Sequence, residues 1–591
     1  MPKKVARMDL NRWPNLVAMF FEQASTKKNS PFLWKKQQGE WNSISWAETA
    51  RQVRLLALAL QEYGLNLGDR VVLVGENSPE WAIADFAVMA AGGVTVPTYI
   101  TNTSNDHRHI LTDSEATIAI VSNQKLADPL LEAAADLPHL KQIISMEKIE
   151  VNPDAGFKIK SWSEALHQGG LSTNQNSIRS DQISQEDTAC IIYTSGTGGT
   201  PKGVMLSHRS ILCNCVGAFH LLLELGLDDE VFLSFLPLSH SYEHSCGLMF
   251  PTSIGAQIYY AEGIDKLAAN LTEVRPTLMT SVPRLYEMMR LRILDGVQRA
   301  GGLKAKLFLL ALNLGTERYE QGGRLKFHKT PVDKLVDILV RKKVKMRFGG
   351  RLKAMVSGGA PLNIQVGIFF TALGLRLLQG YGQTEAGPVI SCNPSTKIKL
   401  DTVGPALHSV DVKIAEDGEI LVRGPLLMNG YWKQPETTQD TIRDSWLHTG
   451  DIGELDGDGY ITITDRKKDI IVLSGGDNIS PQRVEGVLGL EPEIAQAMVV
   501  GDGRKHLVAL LVPSEQTREL QTSSSDEHAL RKIIGDAVAR ANSTLSVIEQ
   551  VRGFSVVDDP FTVDNEMLTP TLKNRRHKIL QNYAEAIETL Y

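Results

Sequence analysis

The 591-residue sequence has few cysteines and no long hydrophobic run. Its five cysteines lack metal-type spacing, and Cys213 and Cys215 fall in an apolar stretch typical of a buried helix. The small, odd number of cysteines favours a reducing, cytoplasmic compartment. No apolar segment reaches the ~18 residues that a membrane span needs. The basic start of the chain is interrupted by Asp9, Arg12 and Pro14, so we expect no signal peptide.

The chain also lacks an excess of charge of either sign. Lysine and arginine number 62 against 68 aspartates and glutamates, a net charge of −6, which argues against nucleic acid as the main partner. The apolar fraction of 42% is ordinary for a globular enzyme. Because a single hydrophobic core stops growing well below this length, we expect several folding units. No feature predicts the oligomeric state.

Strand and helix patterns alternate through the first half of the chain. Residues 70–75 resemble a buried strand, and Ser78 and Pro79 have the residue types of an N-cap and a first helical residue. The helix they begin is predicted to run to about Ala91, and Val94 starts another strand. This rhythm predicts an α/β fold in which helices cover the sheets.

Farther along, strand patterns replace this alternation. Asp417-Gly418 is a hairpin signal, and residues 400–465 are predicted to form a β-rich subdomain. A smaller α/β pattern follows the charged segment that comes next. We predict a large N-terminal domain over residues 1–466 and a small C-terminal domain over residues 467–591.

Residues 193–203 combine very small residues with one lysine. The segment has four glycines, four threonine or serine hydroxyls and Lys202, and it lies between two apolar runs that resemble buried strands. Backbone N–H groups of such a loop can approach a polyanion closely, and a lysine adds a point charge. Lys202 follows Pro201 and precedes Gly203, so this is not a Walker A sequence. The pattern favours a triphosphate, and an exposed flexible turn is the alternative.

Two more small-residue turns suit a nucleotide. In residues 380–385, Tyr381 is flanked by glycines and can stack on a purine, while Glu385 has the oxygen ligands that Mg²⁺ prefers. In residues 357–361 a backbone can approach a ligand closely. Taken alone, the first is equally a loop with a capping glutamate and the second an ordinary turn.

A carboxylate with ribose-binding chemistry follows later. Asp451 ends the segment 448–451 and suits two vicinal hydroxyls, and Arg466 is close enough in sequence to reach the same sugar. For either residue alone, a surface salt bridge is the alternative.

In this order the clusters resemble the motifs of the adenylate-forming enzymes, which include acyl-CoA synthetases, luciferases and peptide-synthetase adenylation domains. The resemblance runs from about residue 13 to residue 590. It implies an ATP site built from Thr194, Ser195, Gly196, Thr197, Gly198, Gly199, Lys202, Gly358, Gly359, Ala360, Gly380, Tyr381, Gly382, Thr384, Asp451, Arg466 and Lys573.

The resemblance also implies individual roles. Thr194 and Glu385 match the Mg²⁺-binding positions, Tyr381 the adenine-stacking residue, and Thr384 a contact to the α-phosphate. Catalysis is assigned to Thr194, Lys202, Glu385 and Lys573.

Asp451 and Arg466 match the ribose contacts, and Lys468 matches the hinge between the domains. Lys573 lies in residues 568–573, which resemble the C-terminal segment of long-chain acyl-CoA synthetases.

The acid substrate is indicated by residues 236–243, which resemble the motif beside the acyl site of the long-chain group. His240 is then a substrate-side residue, as are Gly358 and Gly380, while an ordinary structural histidine is the alternative for His240. The chain departs from the group at Val472, where a lysine is usual. This departure bears on chain-length preference or domain coupling rather than on adenylation.

The resemblance therefore implies a long-chain fatty acid–CoA ligase that uses ATP, Mg²⁺ and coenzyme A. The alternatives are an acyl-AMP ligase that loads a carrier protein, a ligase of medium-chain or other carboxylic acids, and a non-catalytic lipid- or nucleotide-binding protein. The presence of Lys202, Glu385, Asp451 and Lys573 argues against the last.

A basic segment, residues 326–353, suits anionic lipid headgroups on the inner face of the membrane, and residues 332–340 have an amphipathic pattern. A solvated helix face is the alternative.

Overall fold

The computed structural model describes residues 8–150, 156–173, 178–194, 200–323, 325–522, 527–562, 565–569 and 574–591. Within these ranges, two eight-stranded sheets form the larger part of the molecule, followed by a five-stranded sheet and a three-stranded sheet. Helices cover these sheets, which is the α/β architecture predicted from the sequence.

The first large sheet is mainly parallel, with one antiparallel strand at each edge. In spatial order its strands are Val389–Cys392, Leu377–Gly382, Ala354–Ser357, Leu278–Ser281, Val231–Ser234, Gln257–Tyr260, Pro31–Gln37 and Glu40–Ser45.

The second large sheet is also mainly parallel, and an antiparallel hairpin forms one side of it. Its strands follow the order Gly430–Tyr431, Lys202–Ser207, Thr188–Thr194, Val94–Thr98, Arg70–Val74, Ile118–Val121, Gln142–Ser145 and Lys158–Ser161. The hairpin consists of the two strands predicted on either side of the glycine-rich loop.

One large apolar cluster joins the two sheets. The helix Pro79–Ala90 is buried on all sides within it, which explains why its sequence is apolar without a polar face. Ser78 caps this helix by accepting a hydrogen bond from the Trp81 N–H, and Pro79 occupies the first turn, as predicted.

The other helices of this part cover the sheet faces and edges. They are Leu16–Lys27, Trp46–Glu62, Ser104–Ser114, Gln124–Ala134, Trp162–Leu171, His208–Leu222, Ser241–Glu243, Phe250–Ser253, Leu267–Val274, Pro283–Ala300, Gly302–Glu320, Thr330–Val336, Lys342–Arg347, Ile364–Ala372 and Pro435–Thr441. Two π-helical segments, His244–Met249 and Asp337–Arg341, continue neighbouring helices. Among the described helices, none combines the length and the apolarity needed to cross a bilayer.

The five-stranded sheet carries the later candidate residues. It comprises Asp411–Ile414, Glu419–Arg423, Ile442–Arg443, Trp446–Leu455 and Ile461–Arg466. The predicted hairpin turns at Gly418, which has φ +83°, a backbone conformation that glycine adopts without strain. The last two strands pair antiparallel, so that Asp451 lies opposite Arg466.

The C-terminal part has its own core beneath a three-stranded sheet. The strands of this sheet are Ile494–Val500, Leu507–Pro513 and Val551–Val556, and a separate two-stranded sheet pairs Ile471–Val472 with Asn478–Ile479. The helices of this part are Pro481–Leu488, Glu515–Thr522, Glu527–Asn542, Arg576–Asn582 and Ala584–Glu588. Among the described residues, its hydrogen bonds with the larger part include those from Arg284 Nη2 to the Ala495 carbonyl (2.7 Å) and from Asn363 Nδ2 to the Gly486 carbonyl (3.1 Å).

Candidate active site

A cavity of about 2370 Å³ lies between the larger part of the chain and the C-terminal part. Every predicted site residue that the structure describes lines it: Thr194, Lys202, His240, Gly358, Gly359, Ala360, Gly380, Tyr381, Gly382, Thr384, Glu385, Asp451, Arg466 and Lys468. The predicted residues Ser195, Gly196, Thr197, Gly198, Gly199 and Lys573 lie outside the described residues.

The topology explains why residues so far apart in sequence meet. Thr194 ends a strand of the second sheet, whereas Ser357 and Gly382 end strands of the first sheet. Residues 236–243 follow another strand of the first sheet. In α/β folds, ligands bind outside the carboxyl ends of the strands, and here both sheets direct such ends to one cavity.

Lys202, Tyr431 and Glu385 form a connected cluster on one wall. Thr194 and Lys202 are paired across the hairpin. The Lys202 ammonium lies 5.1 Å from the centre of the Tyr431 ring, and Tyr431 Oη donates a 2.9 Å hydrogen bond to Glu385 Oε1. Burial and the Glu385 charge raise the pKa of Tyr431, so this phenol stays protonated and remains a donor.

Sequence reasoning missed Tyr431. It belongs to a two-residue strand that pairs with the second hairpin strand, with Tyr431 opposite Val204. Gly430 precedes it with φ +130°, and a Cβ there would lie 2.8 Å from the Thr438 side chain. The only sequence signal is this glycine before an aromatic residue, which is too common to assign a site.

A second cluster surrounds Asp451. Tyr381 Oη donates a 2.6 Å hydrogen bond to Asp451 Oδ2, and Arg466 Nε lies 3.5 Å from Asp451 Oδ1. Burial and the Asp451 carboxylate raise the pKa of Tyr381 well above its usual value. The contacts fix the orientation of the carboxylate, which is 14% exposed and faces the cavity.

The glycines beside Tyr381 are required by strand pairing. A Cβ on Gly382 would lie 1.8 Å from the Pro388 carbonyl oxygen, and one on Gly380 would lie 3.1 Å from the Ser391 carbonyl oxygen. Both glycines therefore allow close approach of the antiparallel neighbour strand. This packing role was not foreseen from the sequence.

Thr384 and Gly358 are held by residues of the 236–243 motif. The Thr384 and Ser241 hydroxyl oxygens are 2.9 Å apart, and a Cβ on Gly358 would lie 3.0 Å from the Tyr242 ring. Tyr242 Oη in turn donates a 3.1 Å hydrogen bond to the Val356 carbonyl. Ser241 and Tyr242 thus position two walls of the cavity.

His240 lines the cavity and also has a local structural contact. Its Nδ1 accepts a hydrogen bond of 3.2 Å from the Tyr242 N–H. The substrate-side role and the structural role are therefore compatible for this histidine.

Two ionisable residues behind His240 are fully buried. Both Glu243 oxygens accept 2.6 Å hydrogen bonds, one from Ser234 Oγ and one from Thr280 Oγ1. Burial raises the pKa of Glu243 to about 7, although these hydrogen bonds lower it. His244 Nε2 lies 2.8 Å from Asp85 Oδ2. Burial lowers the pKa of His244, but the charge of Asp85 and the hydrogen bonds to Asp85 and Cys190 together outweigh it and raise the pKa to about 10.

The arrangement suits Mg²⁺ brought in with phosphates. Among the described residues, no group of three or more histidine, cysteine, aspartate or glutamate side chains is arranged to hold a metal ion. Glu385 and Thr194 nevertheless offer a carboxylate and a hydroxyl to the same cavity. Mg²⁺ usually takes one or two protein ligands and completes its shell with substrate phosphates and water, so this donor set fits.

The described residues on either side of segment 570–573 also line the cavity. Leu568 and Asn574 form an isolated antiparallel bridge. Arg576 Nη1 donates a 2.5 Å hydrogen bond to Glu485 Oε1, and Asn574 Nδ2 donates one of 3.1 Å to the Ala497 carbonyl. These contacts fix the ends of the segment that contains Lys573.

Known proteins match the chain over nearly its whole length. The AMP-binding enzyme family matches residues 20–432, and the AMP-binding enzyme C-terminal domain matches residues 468–591. The long-chain-fatty-acid–CoA ligase FadD15 of Mycobacterium bovis is 32% identical over 98% of this chain and 97% of its own length. The peroxisomal long chain acyl-CoA synthetase 6 of Arabidopsis thaliana is 32% identical over 93% of this chain and 82% of its own.

A solved structure shares the fold. The adenylation domain of a carboxylate reductase from Mycobacterium chelonae matches with a TM-score of 0.79 at 22% identity, over 98% of this chain and 91% of that domain. The resemblance drawn from the sequence motifs is thereby confirmed at the level of fold and family. The chain belongs to the AMP-binding enzyme family.

Proposed function

We propose that the protein is a long-chain fatty acid–CoA ligase. It activates a fatty acid with ATP, forming an acyl-adenylate and pyrophosphate, and then transfers the acyl group to the thiol of coenzyme A. The observation that carries this proposal is the convergence of every described candidate residue on one cavity. The names of the full-length relatives support the acid class.

The polyphosphate is bound by the cluster of Thr194, Lys202 and Glu385. Thr194 and Glu385 would hold Mg²⁺, which would supply neutralisation of the charge on the departing pyrophosphate. Lys202, whose ammonium lies 5.1 Å from the centre of the Tyr431 ring, binds a phosphate. Tyr431 orients the Glu385 carboxylate, because its hydroxyl donates a hydrogen bond to one of the two carboxylate oxygens.

The nucleoside is bound by the second cluster. Asp451 accepts hydrogen bonds from the two ribose hydroxyls, with Tyr381 and Arg466 holding its orientation. The Tyr381 ring stacks on adenine, and Thr384 contacts the α-phosphate. Residues 358–360 also line the cavity, where their backbone can approach the nucleotide closely.

The attack of a carboxylate on the α-phosphate brings two anions together, so a cation is needed in the transition state. We assign this role to Lys573. The fixed ends of its segment, which line the cavity, support the assignment. A preorganised electrostatic group of this kind is typically worth ~3–4 kcal/mol.

Adenylation and thioester formation require two arrangements of the C-terminal part. We place the domain boundary between residues 466 and 467 and the hinge at Lys468. Lys467 Nζ is held by Asp417 Oδ2 (2.7 Å) and Glu419 Oε2 (2.9 Å). The next residue, Lys468, is exposed. The chain is therefore anchored up to Lys467, which supports a pivot directly after it.

We place the acyl chain against apolar residues of the cavity. Leu222, Phe232, Phe250 and Leu278 line the cavity, as does His240. An apolar wall of this kind suits a long hydrocarbon chain. Val472 is 43% exposed and lies outside this wall, so its departure from the usual lysine bears on the domain linker. A cytoplasmic location, with contact to the inner face of the membrane, completes the proposal.

Pyrophosphate release tests the function directly. Straight-chain acids from two to eighteen carbons are assayed with ATP and Mg²⁺, with and without coenzyme A. We expect acyl-CoA formation to be fastest with long chains. Turnover restricted to acids of about eight carbons or fewer would contradict the long-chain assignment, and turnover that ignores coenzyme A but requires a carrier protein would favour carrier loading.

A further inference from the structure

Two neighbouring helical segments expose apolar side chains where a globular protein normally buries them. We call the described residues of segment 302–347 the outer helical surface. On it, Phe327 is 94% exposed, Leu303 72%, Ile338 62%, Leu335 54% and Met346 53%. Scattered exposed leucines are ordinary, but a run of this density marks an interaction surface.

The exposed face cannot turn inward, because the opposite face is locked. Arg341 has a fully buried side chain, whose Nη2 lies 2.7 Å from Asp333 Oδ1. Arg341 Nε and Nη2 also donate hydrogen bonds to the carbonyls of Ala372 (2.8 Å) and Ala311 (3.0 Å). Asp333 lies on the same helical run and also pairs with Arg318 Nη1 of the neighbouring helix (3.1 Å). Rolling the run would separate this pair and leave the two carbonyls without their donor, which is unfavourable.

The same segment is basic where it is exposed. Over residues 326–347 the exposed charged residues are Lys326, Lys334, Lys342, Lys343, Lys345 and Arg347 against Asp337, in a chain whose net charge is −6. The other aspartate of this range, Asp333, is buried beside Arg341. Lys342 and Lys343 are exposed beside Met346, and neither forms an ion pair with a described residue.

Apolar side chains interspersed with lysines fit one kind of partner, the interface of an anionic bilayer. There the apolar groups enter the acyl boundary while the ammonium groups meet lipid phosphates. A second copy of this chain fits poorly, because a symmetric contact would bring the same positive charges face to face.

We propose that the outer helical surface docks the protein on anionic membranes. The helix Pro283–Ala300 connects this surface to the cavity, since Arg284 and Met288 near its start line the cavity and its end leads into Gly302–Glu320. Eighteen helical residues span about 27 Å. Docking would therefore hold the cavity within about 27 Å of fatty acid dissolved in the membrane. This benefit for substrate delivery rests on the function proposed above.

The test is sedimentation of the full-length protein with phosphatidylcholine vesicles containing or lacking 30% phosphatidylglycerol. This needs no substrate, so failure to dock is distinguishable from failure of the proposed ligase activity. We expect binding only to the anionic vesicles. Lys342→Glu/Lys343→Glu should weaken it at least 25-fold, since each lysine near such a surface contributes about fivefold. Leu335→Ser/Ile338→Ser should also weaken it.

Matched controls carry the same changes elsewhere on the surface. Lys141→Glu/Lys148→Glu changes exposed lysines beside the second sheet, and Val547→Ser/Ile548→Ser changes two apolar residues of the C-terminal part that are 71% and 44% exposed. Both should bind like the unchanged protein, and all variants should retain their circular dichroism spectra. The proposal would be overturned if the test variants bound as tightly as the unchanged protein, or if the protein bound neutral and anionic vesicles equally. A concentration-dependent dimer that the test variants abolish would also overturn it.

Discussion

Glu243→Gln should make the protein more stable at pH 8 and leave its stability at pH 5 nearly unchanged. The Glu243 carboxyl is fully buried behind His240, and burial raises its pKa to about 7 from an ordinary value of 4.5. The amide of glutamine has nearly the same shape. It can accept a hydrogen bond from one of the two hydroxyls around it and donate one to the other.

The magnitude follows from linkage. Between pH 4.5 and about 7 the folded protein keeps a proton on Glu243 that the unfolded chain has already lost. The free energy of unfolding therefore falls as pH rises through this window and is level above it. A difference of about 2.5 pKa units corresponds to about 3 kcal/mol. Glutamine has no proton to lose, so the variant avoids this fall.

Urea unfolding of the two proteins, followed by tryptophan fluorescence at pH 5, 6, 7 and 8, measures the effect. His244 loses its stabilising charge as pH rises from 6.5 through about 10, but it is present in both proteins and largely cancels in the difference. Glu243→Asp is a useful control, since it keeps an acid at this site. If the difference between Glu243→Gln and the unchanged protein were the same at pH 5 and pH 8, the burial argument would be refuted.

Three further predictions concern the active site and the fold. Tyr431→Phe keeps the ring beside Lys202 but removes the hydrogen bond to Glu385, so kcat/KM should fall about tenfold and the Mg²⁺ requirement should rise, measured by pyrophosphate release across Mg²⁺ concentrations. Arg341→Ala leaves Asp333 with Arg318 as its remaining ion-pair partner and removes the donor from the Ala372 and Ala311 carbonyls, so it should lower the free energy of unfolding by about 3 kcal/mol, whereas Arg347→Ala, at an exposed position, should change it little; equal effects would contradict the role of the buried guanidinium. Lys573→Ala should abolish adenylation while thioester formation from supplied acyl-adenylate continues, and equal loss of both steps would count against the two-arrangement model.

The sequence predicts local structure well where one short segment contains all the determinants. The helix Pro79–Ala90 and the hairpin at Gly418 were both predicted, because a cap, a first-turn proline or an Asp-Gly turn fixes each one without help from distant residues. The domain boundaries and the roles of Lys573 and Lys468 stay predictions.

Contacts between distant residues were beyond the sequence. Tyr431 meets Glu385 through a strand pairing that spans more than two hundred residues, and the 2.8 Å contact between His244 and Asp85 crosses 159 residues. Residues 332–340 showed an amphipathic pattern, but only packing reveals that the next residue, Arg341, is buried beside Asp333 while Leu335 and Ile338 are exposed.

The Tyr431 ring has a consequence for the energy of each catalytic cycle. A lysine and a carboxylate in direct contact would neutralise each other and would have to separate whenever a metal–phosphate complex arrived. Here the Lys202 ammonium lies by the Tyr431 ring, and the Glu385 carboxylate accepts a hydrogen bond from the Tyr431 hydroxyl. One neutral side chain therefore contacts both charged groups and keeps them apart. The two charges therefore await the ligand already separated, and little reorganisation energy stands between the empty state and the loaded one.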